Sequence, residues 1–276
     1  MNRKARAVVC RALNEPVVVE DIVVEPPQRN EVTIKLAACG VCHSDLSATN
    51  GTISFALPLV LGHEGAGTVV QVGEGVTEFA VGDAVVSSFV SMCGKCRYCQ
   101  TGRPQLCDQA AKAAYTLPDG TVRTKDLQGK PLNIFSGCGV MAEVATLHTD
   151  NVVKIDKDIP LDRAALVSCG VMTGVGAVVN TARVTPGSIT VVFGAGGVGL
   201  NAIQGCAIAG AAMIVAVDMS DAKLELARQF GATHTLNAKS EENVVKAIRK
   251  LTGGGADYAF ECVGYGEIAA QAYGVL

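Results

Sequence analysis

The stretch Ser188-Ile189-Thr190-Val191-Val192-Phe193-Gly194-Ala195-Gly196-Gly197-Val198-Gly199 organises the second half of this 276-residue chain. Six residues of strand-forming character run into a glycine-rich turn, and a segment of small residues, Val198 to Ala209, follows with helical character. A second apolar run, Met213 to Val217, comes next, and Asp218 closes it nineteen residues after Gly199. The turn matches G-x-G-x-x-G in the context that gives that pattern meaning: after a strand, at the start of a helix, with an acidic residue ending the next strand. Gly194, Gly196, Gly197 and Gly199 permit a tight turn and close backbone approach to a pyrophosphate at a helix N-terminus. Asp218 can accept hydrogen bonds from ribose hydroxyls and would repel a 2′-phosphate, so the expected dinucleotide is NAD rather than NADP.

Beyond Asp218 the alternation continues. Asp221 to Phe230 reads as an amphipathic helix closed by Gly231, Thr233 to Leu236 as a strand, Glu241 to Leu251 as a helix and Ala256 to Cys262 as a fourth strand. A last helix starts near Gly266. This β-α-β-α order predicts a parallel, doubly wound sheet. Upstream, residues 1 to about 165 read differently. Short β segments (Ala7–Val9, Val17–Val19, Val32–Leu36, Gly67–Val72, and again from Ala142 to Ile155) are broken by Gly, Pro, Asn and Asp, which predicts a barrel-like β domain. Cys169 to Ala182 is expected to be the helix that joins the halves. The predicted domains are residues 1–168, β-rich with a lobe at 93–107, and residues 169–276, a partial dinucleotide-binding fold.

Composition narrows the function. Formal net charge is -3, with no basic block, which argues against a nucleic-acid partner. Apolar runs such as Ala211 to Val217 are too short to span a bilayer, and Ala7 to Cys10 is too short for a signal-peptide core. The expectation is a cytoplasmic protein without a membrane partner. Eleven cysteines in such a chain point to metal rather than to a disulfide scaffold. Cys93, Cys96, Cys99 and Cys107 follow C-x2-C-x2-C-x7-C, and four nearby thiolates can close a tetrahedron around one structural Zn²⁺. Two disulfides are the alternative reading of that cluster.

Three further groups are soft-ligand candidates: Cys39-Gly40-Val41-Cys42-His43-Ser44-Asp45, Gly62-His63-Glu64-Gly65-Ala66-Gly67 and Ser168-Cys169-Gly170-Val171-Met172-Thr173-Gly174. In this order, with the four-cysteine lobe and the glycine turn, they resemble the medium-chain zinc alcohol dehydrogenases over essentially the whole chain. The resemblance implies a GroES-like β-rich catalytic domain followed by a Rossmann-type sheet. It also implies two zinc ions and NAD. Cys42, His63 and Cys169 are then the catalytic zinc ligands, a two-cysteine, one-histidine set known for alcohol dehydrogenase. Ser44 handles the substrate proton, Glu64 stands behind the metal, and His43 faces the cofactor pyrophosphate, although it could be taken for a fourth ligand. Asp45 is expected to hydrogen-bond a ligand histidine. Lys223 lies near the ribose, and Thr173 and Val198 lie beside the nicotinamide. The implied reaction is oxidation of a primary or aromatic alcohol to the aldehyde, and its reverse, with a small-molecule alcohol or aldehyde as partner.

Two departures qualify the resemblance. Ser47 stands where liver-type enzymes carry a histidine that completes proton release. Ala111 stands where the glutathione-dependent formaldehyde dehydrogenases carry an arginine, although Gly62–Gly67 and the loop Leu117-Pro118-Asp119-Gly120 are similar to that class. Cys169 argues against the sorbitol-type branch, which has a glutamate there. A full dinucleotide fold has six strands, and four are visible, so the chain is expected to be C-terminally truncated. The alternatives are accordingly an inactive zinc- and nucleotide-binding fragment, a formaldehyde-dehydrogenase-like class III enzyme, or a thiolate-based redox or zinc-storage protein. A homo-oligomer is expected for the full-length form. Cys10, Cys39, Cys138, Cys206 and Cys262 read as apolar packing.

Overall fold

A computed structural model describes residues 1–110 and 114–276. Ala111, the position weighed above against a glutathione-linked substrate, lies outside the described residues. The chain divides into two units, Met1–Cys169 and Gly170–Leu276.

The first unit contains β1 (Arg3–Cys10), β2 (Val18–Val24), β3 (Glu31–Gly40), β4 (Leu59–Val60), β5 (Glu64–Val72), β6 (Ala84–Ser87), β7 (Thr124–Asp126), β8 (Asn133–Ile134), β9 (Val144–His148) and β10 (Val152–Lys154). They form two five-stranded sheets, ordered β7-β2-β1-β4-β8 and β10-β6-β5-β3-β9. The second sheet is antiparallel throughout. Alternation drives the first: Ala5, Ala7 and Val9 of β1 are buried with Ile22 and Val24 of β2, while Lys4 and Arg6 point out. Val32, Ile34, Val69, Val85 and Leu147 build the core of the second sheet. Short helices α1 (His43–Thr49), α2 (Arg97–Gln100) and α3 (Leu161–Ala164) sit between strands.

The second unit holds α4 (Gly170–Gly176), β11 (Ile189–Phe193), α5 (Gly197–Ile208), β12 (Met213–Asp218), α6 (Asp221–Gln229), β13 (His234–Asn237), α7 (Val244–Thr252), β14 (Tyr258–Glu261) and α8 (Gly266–Gly274). The sheet order is β13-β12-β11-β14, and every pairing is parallel. Successive residues of β11 and β12 feed opposite cores. Val192, Ile214 and Ala216 pack with Ile203 of α5 and Leu224 of α6, whereas Val191, Phe193, Val215 and Val217 pack with Ile248 of α7 and Ala272 of α8. Burial on both faces is the reason these strands read as unbroken apolar runs. The predicted β-rich half and parallel α/β half are both present.

The segment expected to be one helix from Cys169 to Ala182 is helical from Gly170 to Ala182: α4 runs without a break into a π-helical stretch, Ala177–Ala182, that ends at left-handed Arg183 (φ 52°). One expectation is corrected. Helix α7 starts at Val244 rather than Glu241, because the Asn243 side chain accepts a hydrogen bond from Lys246 N at 2.9 Å and fixes the N-terminus there. Among the described residues no single helix is long and apolar enough to cross a membrane.

Candidate metal centre and nucleotide turn

Strand pairing creates the main site. The end of β3 lies against the start of β5, with Gly40 opposite Glu64, so the two turns carrying Cys42 and His63 meet. Gly40 leaves room for the Glu64 carboxylate: a Cβ on it would stand 2.0 Å from a carboxylate oxygen of Glu64. Asp45 ties the two turns together. Its carboxylate accepts Cys42 N at 3.0 Å and Gly62 N at 3.1 Å. Ser87 of β6 donates to His63 O and accepts from Gly65 N, both at 2.8 Å. Ser168 donates to Gly65 O at 3.4 Å, which brings the following Cys169 alongside.

The result is a cluster of Cys42, His63, Glu64 and Cys169 whose ligand atoms all lie within 4.8 Å of one another. His63, Glu64 and Cys169 are buried and Cys42 is half-buried. In the metal-free protein the Cys42 thiol is held down to about 3, by hydrogen bonding from Cys169 and from His63, against burial. Burial pulls the His63 imidazolium down, but the Asp45 carboxylate and Cys42 outweigh it and hold its pKa up at about 9. Burial, reinforced by the Cys42 charge, raises Glu64. Ser44 Oγ lies 3.6 Å from Cys42 Sγ, and His43 is exposed on α1. The structure therefore draws together two thiols, an imidazole and a carboxylate from turns 21 to 127 residues apart in sequence.

The expected partner of the ligand histidine is in place as an ion pair: Asp45 Oδ1 lies 3.4 Å from His63 Nδ1, outside strict hydrogen-bond geometry. Two rings that sequence reasoning missed add to this contact. Phe135 stacks on His63 with centroids 4.9 Å apart at 22°, and Phe89 meets it edge-on at 5.7 Å and 83°. No local spacing links Phe135 to His63.

Cys93, Cys96, Cys99 and Cys107 form the second cluster, also within 4.8 Å. Cys96 precedes α2, and Cys107 follows a short 3-10 turn, Pro104–Leu106. Two sulfurs about 2.3 Å from one zinc at a tetrahedral angle stand about 3.8 Å apart. The Cys96–Cys107 separation is 3.9 Å, so this donor set suits the ion. None of the eleven cysteines forms a disulfide. Cys10, Cys138 and Cys206 are buried among apolar side chains, while Cys39 and Cys262 are half-buried.

In the second unit the glycine turn joins β11 to α5. Gly194 has φ 91°, and a Cβ on Gly199 would stand 1.7 Å from Gly194 O, so this glycine lets strand and helix approach. No atom lies within 4 Å of a Cβ on Gly196 or Gly197, which leaves the start of the twelve-residue α5 open to an anion. Asp218 accepts Ala195 N at 2.8 Å, Met219 N at 2.8 Å and Ser220 N at 3.0 Å. Lys223 Nζ lies 4.0 Å from it. Asp218, Lys223, Gly194 and Met219 line a cavity of about 650 Å³. Val198 is half-buried on α5, and Thr173 is exposed on α4.

Comparison with known proteins adds to this geometry. Residues 28–157 match the alcohol dehydrogenase GroES-like domain, and residues 197–276 match the zinc-binding dehydrogenase domain. An S-(hydroxymethyl)glutathione dehydrogenase of Synechocystis sp. is 41% identical over 98% of this chain and 74% of its own. Among solved structures, an alcohol dehydrogenase zinc-binding domain protein from Burkholderia ambifaria superposes with a TM-score of 0.94 at 38% identity, over 100% of this chain and 75% of that one. Benzyl alcohol dehydrogenase from Acinetobacter calcoaceticus gives 0.89 at 37% identity, over 99% and 74%.

Proposed function

Since the chain belongs to the zinc-dependent medium-chain alcohol dehydrogenases, an oxidoreductase family that uses zinc and NAD, we propose that it oxidises a primary or aromatic alcohol to the aldehyde, reversibly, at the Cys42–His63–Cys169 centre. The observation that carries this is the convergence of Cys42, His63, Glu64 and Cys169 within 4.8 Å.

In this reading Cys42, His63 and Cys169 hold the catalytic ion, and Cys93, Cys96, Cys99 and Cys107 hold a structural one. When bound, zinc lowers the pKa of the alcohol and NAD takes the hydride. Ser44 Oγ, beside Cys42, receives the substrate proton. Glu64, buried behind the ligands, adjusts the charge they share. Gly194, Gly196, Gly197 and Gly199 admit the pyrophosphate, and His43 faces it. Asp218 and Lys223 engage the adenosine ribose, and Thr173 and Val198 bound the nicotinamide. The edge of half-buried Phe89 beside His63 presents apolar surface suited to an aromatic alcohol. The likeness to benzyl alcohol dehydrogenase supports the same preference.

The curated relative's name supports a second reading, a glutathione-adduct substrate. One assay separates them: NADH production with benzyl alcohol against S-(hydroxymethyl)glutathione, on protein whose zinc is counted by native mass spectrometry. Two zincs per chain and faster turnover of benzyl alcohol are expected. Faster turnover of the glutathione adduct would favour the second reading. Cys169→Ser is expected to lose one zinc and all turnover, and retention of both by that variant would overturn the assignment of the centre.

A further inference from the structure

A histidine that ligates a metal is ordinarily oriented by a firm hydrogen bond from its other nitrogen. His63 is 2% exposed, and its Nδ1 meets Asp45 Oδ1 at 3.4 Å, an ion-pair contact outside strict hydrogen-bond geometry, on an oxygen that also serves Gly62 N. Two rings hold the imidazole as well. Phe135 covers one face at 4.9 Å, nearly parallel, and Phe89 abuts it edge-on. Phe135 is itself fixed. Ile134 N donates to Tyr115 O at 3.0 Å, Ser136 N to Ala114 O at 2.9 Å, and Phe55 packs on the phenyl ring at 4.6 Å. Ser136 turns through a left-handed conformation (φ 50°) directly after it, so the backbone aims this side chain inward.

We propose that Phe135 is the positioning residue that sets the plane of the His63 ring, with Phe89 as its edge partner, alongside the Asp45 contact at Nδ1. The inference rests on the reading of His63 as a zinc ligand. The nitrogen lone pair lies in the plane of the imidazole. A ring free to tilt therefore points its donor away from the metal part of the time, and the ion escapes faster. Phe135 acts on the metal only through His63.

The test is the rate at which a chelator removes zinc from the intact two-zinc protein, with the four-cysteine site as internal control. Phe135→Leu keeps apolar bulk but loses the flat face. It is expected to release the catalytic zinc roughly tenfold faster, with release from the four-cysteine site unchanged. Phe135→Tyr restores the face and is expected to return the rate to within about twofold of the original. Cobalt substituted at the catalytic site should show an altered visible spectrum in the Leu variant and not in the Tyr variant. Unchanged release from Phe135→Leu overturns the proposal, and so does equal acceleration at both sites, which would mark general loosening. Should the Leu variant not fold, Phe89→Leu is expected to accelerate catalytic-zinc release about two- to threefold, and no acceleration overturns the proposal. His63→Gln addresses the underlying reading separately: retention of two zincs at the original release rates would remove His63 from the ligand set altogether.

Discussion

Replacing Arg123 by methionine should unfold the first unit more easily than any surface change. Its guanidinium side chain is 4% exposed, as is that of its partner Glu31, 92 residues away in sequence. Nε reaches one Glu31 oxygen at 2.9 Å and Nη2 the other at 2.7 Å; Nη2 also meets Asp119 at 2.7 Å, and Nη1 donates to Thr121 Oγ1. With Arg123 gone, the buried Glu31 carboxylate keeps one donor, Gln28 N at 2.8 Å. A buried charge stripped of its partner costs about 3–5 kcal/mol. Asp119, nearly half exposed, adds under about 1 kcal/mol. With a urea dependence of about 2–3 kcal/mol per molar, the midpoint of the zinc-loaded protein should fall by about 1–2.5 M. Adding Glu31→Gln removes the orphaned charge while keeping an acceptor for Gln28 N, and the double variant should regain at least half of the loss. A single variant within about 1 kcal/mol of the original, or a double variant no more stable than the single, would refute the reasoning.

Two glycines give sharper local tests. Gly40→Ala places a methyl group 2.0 Å from the Glu64 carboxylate, which must move; kcat/KM should fall by about a hundredfold, with two zincs still counted by native mass spectrometry. Gly199→Ala meets Gly194 O at 1.7 Å, a backbone atom without freedom to retreat. The turn should distort and the NAD dissociation constant, measured by calorimetry, rise at least about tenfold, while zinc content stays unchanged. NAD affinity equal to the original would mean that the turn does not hold the cofactor.

What could be read from the chain follows the range of the interactions. The parallel sheet was legible because β11 and β12 are buried on both faces, and continuous Val and Ile runs signal that directly. The lobe was legible because its four thiols come from one short segment, whose spacing alone brings them within reach of an ion. The catalytic cluster needed a resemblance, since its turns meet through contacts distant in sequence, among them the β3–β5 register, the Asp45–Gly62 bond and the Ser168–Gly65 contact. The Phe135 stack on His63 and the Arg123–Glu31 pair left no local trace, because each joins residues about 70 to 90 positions apart. Glycines at 170, 174 and 176 lower helix preference, yet Gly170–Ala182 is helical, and a Cβ on Gly174 would stand 2.5 Å from Val198 O on α5, so close packing rather than propensity shapes that segment. The helix predicted from Glu241 starts instead at Val244, where the Asn243 side chain caps it.

The charges on the centre predict how zinc binding should depend on pH. In the metal-free protein Cys42 loses its proton at about 3 and His63 at about 9, so near neutrality the pair is a thiolate beside an imidazolium. The two shifts act oppositely on stability. The depressed Cys42 contributes fully above its ordinary 9.0, and that contribution is lost as pH falls through about 3. The elevated His63 contributes fully below its ordinary 6.5, and that contribution is lost as pH rises through about 9. Between 6.5 and 9 one slope rises and the other falls, so the pair adds little net pH dependence to metal-free stability there. Zinc binding has no such cancellation. Coordination requires neutral imidazole and thiolate sulfurs, so His63 must give up its proton and Cys169 any that its thiol holds, whereas Cys42 has none to give. The apparent zinc affinity of the catalytic site should therefore climb with pH up to at least about 9. Calorimetry at pH 7 in two buffers of different ionisation enthalpy should register at least about one proton released per zinc at this site. Zero release would mean that His63 is already neutral in the metal-free protein or is not a ligand, and His63→Gln, measured in the same buffers, separates the two.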